Sequence, residues 1–354
     1  MRDDGTGVLA AGREAGLVDG RHLPRVLQGR SRARVRAVTA GAVCRMAITA
    51  MDACAGRLLC ASGRRATVVD AAAVAVRAEF AGRHVLTGAV FYPVDAGLLV
   101  VADRSGHVRL VDGSRMESAL DLPVSSEMIG HLAISPANPT VVACSVSEEA
   151  GVRLVDLRSG ARTHVLAYPS GARVTALAWS PCDPHVCVAG YTDEHVLLWD
   201  IRRPDPLHNV ALSSATDHRR SMITGLRFSA FADTVFAAAA NGLLHGVDVR
   251  TGRRGLSFVT DDYRRSPIQF TVINDWNCVA YPSGPGALLF GLESARLPPV
   301  GNVQSGLADV TALAFDRDLL TLFSGDSDGV VVVHRPVWSS PAESDSAPGD
   351  LMVY

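Results

Sequence analysis

Val196-Leu197-Leu198-Trp199-Asp200-Ile201-Arg202 is a short apolar run closed by an acidic residue, and weaker copies of it recur along the chain. Ala66-Thr67-Val68-Val69-Asp70, Val108-Arg109-Leu110-Val111-Asp112 and Val152-Arg153-Leu154-Val155-Asp156-Leu157-Arg158 precede it. Leu243-Leu244-His245-Gly246-Val247-Asp248, Ala287-Leu288-Leu289-Phe290-Gly291-Leu292 and Val330-Val331-Val332-Val333-His334-Arg335 follow it. The copies end at 70, 112, 156, 200, 248, 292 and 335, so the gaps are 42, 44, 44, 48, 44 and 43 residues.

Each period divides into short apolar runs separated by turn residues. Around the best copy these are Val174–Trp179, Val186–Ala189, Val196–Asp200 and Asn209–Leu212, with Ser180-Pro181 between the first two. Runs of this length, broken by Gly, Pro, Asp and Ser, read as strands. A four-stranded unit of about 44 residues with a Trp-Asp ending is the signature of a WD-repeat propeller blade. Alone it cannot bury both faces; stacked radially, neighbouring blades cover each other. The expected fold is therefore all-β, a seven-bladed WD-repeat β-propeller with a short N-terminal helical arm. Pro336 and a polar tail follow the last ending, so the seventh blade needs a fourth strand from elsewhere. Val35–Thr39 is the natural donor, and it would close the ring by antiparallel pairing.

This divides the 354 residues into an arm over 1–31, a propeller over 32–338 and a tail over 339–354 rich in Ser, Pro and acidic residues, which reads as disordered. The hydrophobic fraction of 48% suits one well-buried β core. No apolar run approaches the length that spans a bilayer, and the charged first twenty residues argue against a signal peptide. WD blades favour an acidic turn residue six before the Trp position; here that reads Ser105, Glu149, Asp193, Asn241 and Asp328. The Gly-His pair that usually precedes the inner strand is mostly missing, so the internal hydrogen-bond network is expected to be incomplete.

Function classes narrow by what the chain lacks. All 34 basic residues are arginine. Without lysine there is no phosphate-cradling Gly-Lys-Ser loop, no Schiff base and no lysine general base. Two causes remain open for that absence: a GC-rich genome eroding lysine codons, and protection from self-modification inside a ubiquitin ligase. Seven scattered cysteines without a Cys-x-x-Cys pair read as reduced core thiols, ahead of a zinc site at Cys182, Cys187 and His185. The net charge of −2 gives no general pull toward nucleic acid, and the run Arg25, Arg30, Arg32, Arg34, Arg36 has no interleaved aromatics. No histidine pairs with a Ser or Cys in a known nucleophile context. No catalytic residue, cofactor or metal is assigned, and the expectation is a rigid non-catalytic platform for proteins.

Two features remain as docking candidates. In the arm, Thr6–Ala15 reads as a first helix; Asp19 caps a second turn that sets Leu23, Val26 and Leu27 on one face. So short a helix must dock, on its own propeller or in a partner's groove. Three successive repeats also end in Asp-x-Arg, at Asp156-Leu157-Arg158, Asp200-Ile201-Arg202 and Asp248-Val249-Arg250. An arginine just past the third strand would project from one rim, free to meet a partner's carboxylates or to bond within its own blade.

Over 151–203 the chain resembles the Cockayne syndrome A protein family, WD-repeat substrate receptors of a cullin-4 ubiquitin ligase. The likeness is carried by Val152–Gly160, Ala178-Trp179-Ser180-Pro181 and Leu198-Trp199-Asp200-Ile201-Arg202-Arg203, and more weakly by Gly225–Phe228, Gln269–Val272 and Phe323–Asp326. Arg13–Asp19 is similar to the family's first helix and the turn after it. The resemblance implies that the arm, through Arg13, Leu17, Asp19, Leu23, Arg25, Val26 and Leu27, enters the damaged-DNA-binding adaptor subunit of the ligase. It implies that Trp199, Asp200 and Arg202 help contact that adaptor. It further implies a nuclear protein of transcription-coupled nucleotide excision repair that presents repair and stalled-polymerase factors for ubiquitin transfer, with no direct nucleic-acid contact and no membrane. Gly20 stands where the family has Pro, and Pro24 interrupts the second helix. The runner-up is a WD-repeat scaffold of an unrelated nuclear complex, in chromatin or RNA processing.

Overall fold

The structure, a computed structural model, describes residues 33–212, 221–260, 262–292, 301–306, 308–338 and 352–353. Six four-stranded antiparallel sheets and one five-stranded sheet form seven blades. Blade 1 begins at Ala50–Cys54, blade 2 at Leu86–Tyr92, blade 3 at Ile129–Ile134 and blade 4 at Val174–Trp179. Blades 5, 6 and 7 begin at Ile223–Phe228, Thr271–Ile273 and Val310–Asp316. The chain is a seven-bladed β-propeller, as the repeat predicts.

Closure follows the expected route. Ala33–Ala42 is the outer strand of blade 7 and pairs antiparallel with Val330–Trp338, from Ala33 opposite Trp338 to Ala42 opposite Val330. It is longer than the predicted donor because the third strand of this blade runs on past Arg335. Met352–Val353 adds a short fifth strand against Ala33 and Arg34. The rest of the tail, and the whole of the arm with its predicted helices, lie outside the described residues.

The core is divided among the interfaces between blades. Seven apolar clusters stand one at each junction, including the junction of blades 7 and 1, where Ile48, Met51 and Cys60 meet Phe323, Val331 and Val333. Side chains alternate along a strand, so each blade buries one row on either side. The largest cluster joins blades 3 and 4 around Trp179, Tyr191 and Trp199.

Inner strands would expose a free edge to the central channel, and side chains from neighbouring blades tie these edges down. Asp52 accepts from the Phe91 N–H at 2.8 Å, linking blade 1 to blade 2. The Gln269 amide accepts from the Met51 N–H at 2.8 Å and donates to the Met51 carbonyl. On the turns that follow the inner strands, blades are linked in the same way: Asn274 accepts from the Ala230 N–H at 3.0 Å, and Asp316 from the Gly56 N–H at 2.9 Å.

The turn acids differ from expectation in two blades. In blade 2 the Asp103 carboxylate, two residues before Ser105, accepts from the Ser105 N–H at 2.9 Å and hydroxyl at 2.6 Å. In blade 7 Asp326, not Asp328, accepts from the Asp328 and Val330 N–H groups at 3.0 and 2.8 Å. Both turns close on a glycine with φ of +82°, Gly106 and Gly329, where a Cβ would lie 2.1 Å from the Ser125 carbonyl and 2.3 Å from that of Cys44. Asp193 and Asn241 do accept within their turns, from His195 and Leu243, while Glu149 pairs with Arg153.

The interior network is incomplete, as the missing Gly-His pairs suggest. The Trp199 indole N–H and the Tyr191 hydroxyl are buried without a hydrogen-bond partner among the described residues. Blade 7 instead carries His334 at the Trp position, bonded to the Ser324 hydroxyl at 2.8 Å, which also meets Ser305 at 2.6 Å. His334 and Ser324 are both buried in the blade, so this His–Ser contact is a packing device.

A pH dependence follows from these buried imidazoles. Burial holds His245 and His334 down at about 4. In the unfolded chain such groups titrate near 6.5, so on acidification the unfolded state takes up protons the folded state refuses. Stability is therefore lost as pH falls from about 7 toward 4, by about 1–2 kcal/mol per buried histidine between pH 7 and 5. His131, also held at about 4 by burial, adds to the loss. Asp52 acts in the opposite sense: burial lifts its carboxyl to about 6, so its contribution grows as pH drops through 6. Three groups outweigh one, and the urea midpoint should be lower at pH 5 than at pH 7. His334→Gln should shrink that difference; an unchanged difference would refute the assignment.

Candidate docking rim

Four antiparallel strands per blade fix what each face of the disc presents. Connections from first to second and from third to fourth strands share one face. Connections from second to third strands, and between blades, share the other. The Asp-x-Arg endings lie where third strands end, so they belong to the first of these faces.

The terminal aspartate of a third strand folds its own exit. Asp70 accepts from the Ala72 and Ala73 N–H groups, Asp112 from Ser114, Asp156 from Arg158, and Asp248 from Thr251, all at 2.7–2.9 Å. A carboxylate two or three residues before an N–H mimics a backbone turn, which explains why the ending recurs.

Asp200 does more. It accepts from the Arg202 backbone N–H at 3.0 Å, from Nε at 2.9 Å and from a terminal nitrogen at 2.7 Å. The Arg202 fork beside Asp200 holds its carboxyl down at about 2. Arg202 is thus bonded within its own blade. Yet its side chain remains 61% exposed, and only two of its five N–H donors are taken. Such an exposed pair adds little stability; its effect is to fix the direction in which the remaining donors point.

Trp199 and Asp200 need a correction as contact residues. Trp199 is 0% exposed, packed between blades 3 and 4, and cannot itself touch a partner. Asp200 is buried against its turn. Both position Arg202, with Ile201 packed on the same cluster. The other predicted contacts, Arg13, Leu17, Asp19, Leu23, Arg25, Val26 and Leu27, lie outside the described residues.

The rim carries more arginine than the Asp-x-Arg pattern shows. Arg115 in blade 2, Arg158 in blade 3, Arg203 in blade 4 and Arg250 and Arg253 in blade 5 are exposed on the same set of turns. Arg115, Arg158, Arg250 and Arg253 make no side-chain hydrogen bond among the described residues. Blades 4 and 5 are linked here, since His208 bonds the Arg250 carbonyl at 3.1 Å and fits against Gly252. Arg115 and Arg253 escaped sequence reading because they stand three or five residues past the aspartate rather than two.

Among the described residues no group of three metal-ligating side chains assembles. Cys187 is buried in a strand while Cys182 is exposed in a turn, and the other predicted ligand, His185, hydrogen-bonds Asp183 through its backbone. No described helix is long and apolar enough to cross a membrane.

Residues 160–200, which run from the end of blade 3 through the third strand of blade 4, match the family described as WD domain, G-beta repeat. The chain is thus a seven-bladed propeller with a WD repeat matched over residues 160–200. It is similar to the WD repeat-containing protein ATCSA-1 of Arabidopsis thaliana, with 28% identity over 123 residues. That similarity covers 34% of this chain and only 27% of the plant protein's length.

Proposed function

We propose that this protein is the substrate-receptor subunit of a cullin-4 ubiquitin ligase acting in transcription-coupled nucleotide excision repair. WD propellers in general act as non-catalytic scaffolds or receptors for other proteins. The finer reading rests on the rim. Arg202, aimed by a buried tryptophan and a buried aspartate, is the observation that carries it: a fixed, exposed guanidinium fork suits the carboxylates or carbonyls of an adaptor. The resemblance over 151–203 and the similarity to the plant protein support the same direction. In this reading the arm over 1–31 enters the damaged-DNA-binding adaptor, the propeller presents repair or stalled-polymerase factors, and the complex works in the nucleus.

Co-purification tests it. Full-length protein should retain the adaptor, and a chain lacking residues 1–28 should lose it. Arg202→Ala should weaken retention by about 1–3 kcal/mol, the effect of losing a charged hydrogen bond. Equal retention by all three would remove the adaptor reading and leave a WD-repeat scaffold of another nuclear complex.

A further inference from the structure

The face opposite Arg202 holds a second arginine cluster, built differently. Arg45 and Met46 lie on the connection from blade 7 to blade 1, and Arg64 on the tight turn of blade 1. Arg83 and His84 lie on the connection from blade 1 to blade 2, and Arg104 on the turn of blade 2. All six are exposed, Met46 by 62%.

Hydrogen bonds join these four segments into one platform. The Ser62 hydroxyl donates to the Met46 carbonyl at 2.8 Å. The Gly82 N–H donates to the Arg64 carbonyl at 2.7 Å, and the Leu86 N–H to the Gly63 carbonyl at 2.8 Å. The Arg104 N–H donates to the Val85 carbonyl at 3.0 Å. At the far end the Cys44 N–H is anchored to the Gly329 carbonyl at 2.9 Å. Gly63 lies beneath Met46, whose sulfur would stand 3.0 Å from an added Cβ.

No Asp or Glu occurs in residues 43–49, 62–64, 82–85 or 104–106. None of Arg45, Arg64, Arg83 and Arg104 makes a side-chain hydrogen bond or ion pair among the described residues. This contrasts with Arg109 and Arg153, which fold back onto Asp103 and Glu149. The exposed acid nearest in sequence, Glu79, is already paired with Arg65 on the outer strand of blade 1, and Asp328 and Glu127 stand on the flanking turns. In a chain of net charge −2, four unpaired guanidinium groups on adjoining rigid turns form a local field of one sign.

We propose that this platform binds an acidic peptide segment of a partner protein, with an apolar side chain seated on Met46 between flanking Asp, Glu or phosphoserine residues. Charge complementarity selects an anionic partner, and guanidinium forks suit carboxylates and phosphates. The exposed thioether adapts to varied apolar side chains. Nucleic acid fits less well, because the platform's segments carry no Phe, Tyr or Trp, and the single imidazole of His84 gives no run of rings for successive bases to stack on. The chain's own acidic tail is not the occupant chosen: Trp338, before it, and Met352 within it are placed at the other face, at the start of the closing strand. The site is separate from the Arg202 rim and does not depend on the adaptor reading.

The test is fluorescence polarisation with the full-length protein. The probe is a labelled pool of ten-residue peptides, each with Asp, Glu or phosphoserine flanking one leucine. Parallel probes are the same pool with Asn and Gln for the acids, and a ten-nucleotide single strand of DNA. The acidic pool should bind, the neutral pool should not, and added salt should weaken binding. Reversing Arg64→Glu with Arg83→Glu should weaken it at least about tenfold. The charge-matched pair Arg158→Glu with Arg250→Glu, on the opposite face, should leave it unchanged. A thermal melt of each variant establishes folding, and Met46→Ala, which removes no charge, should weaken binding a few-fold. Failure of the acidic pool to bind, equal loss in both reversed pairs, or tighter binding of the DNA would each overturn the proposal. Adaptor retention by the Arg64/Arg83 variant should be normal, so failure here leaves the adaptor reading standing.

Discussion

A chain lacking residues 1–42 should fail to give a soluble, cooperatively unfolding protein, whereas one lacking only 1–31 should unfold at nearly the full-length urea midpoint. The difference is the closing strand. Ala33–Ala42 covers Val330–Trp338 along its length, and without it that strand becomes a free edge. The third strand carries Val331, Val332 and Val333, all buried at the junction with blade 1 or within blade 7. A flat, valine-rich edge is a template for pairing with other chains. The loss also falls on the continuous strand pairing that joins the first part of the polypeptide to the last. Domains of ordinary stability hold about 5–15 kcal/mol, and removing an entire strand from a closed ring should consume most of that. Circular dichroism during urea titration is the measurement. An unchanged midpoint for the chain lacking 1–42 would mean that the ring does not depend on this pairing.

Trp199→Ala should destabilise the protein by about 3–5 kcal/mol, the largest effect of any single side chain on the docking rim. The indole is wholly buried among Tyr168, Tyr191, Trp179, Leu197 and Leu154, at the junction of blades 3 and 4. Truncation leaves a cavity that flanking strands, each held by ladders on both sides, cannot collapse to fill. Trp199→Phe should cost less, since much of the contact area survives. The same variants bear on function in a particular way. Because Trp199 is wholly buried, on the adaptor reading proposed above its loss should reduce adaptor retention only through the placement of Asp200 and Arg202. If Trp199→Ala proves as stable as the parent by urea titration, the packing account of the repeat's most characteristic residue fails.

The periodic endings made the blade count legible. Third strands of five blades end at the predicted residues, Asp70, Asp112, Asp156, Asp200 and Asp248. This works because the terminal aspartate serves the turn it precedes, so sequence and local geometry coincide. Turn acids ahead of the third strand were less legible. Counting back from the Trp position selects Ser105 and Asp328, but a carboxylate at the end of the second strand can close the same turn. Asp103 and Asp326 do so. The docking surfaces were hardest to read. The Asp-x-Arg triplets flagged part of one rim, yet Arg115 and Arg253 obey no fixed offset. The opposite platform draws on four separated segments, brought together by the ring and by hydrogen bonds between carbonyls and N–H groups that carry no sequence code. The arm candidates stand apart from both, since their placement depends on residues before Ala33.

Pairing Ala33 with Trp338 also sets a schedule for synthesis. The first of the described strands to leave the ribosome is the last to find its partner, which emerges some three hundred residues later. Until then blade 7 is incomplete and the disc stays open, with the junction of blades 7 and 1 unsealed. Contacts this distant in sequence form slowly. The nascent molecule therefore spends most of its translation as an unsealed arc, and a chaperone holding its leading segment would guard the moment when the circle shuts.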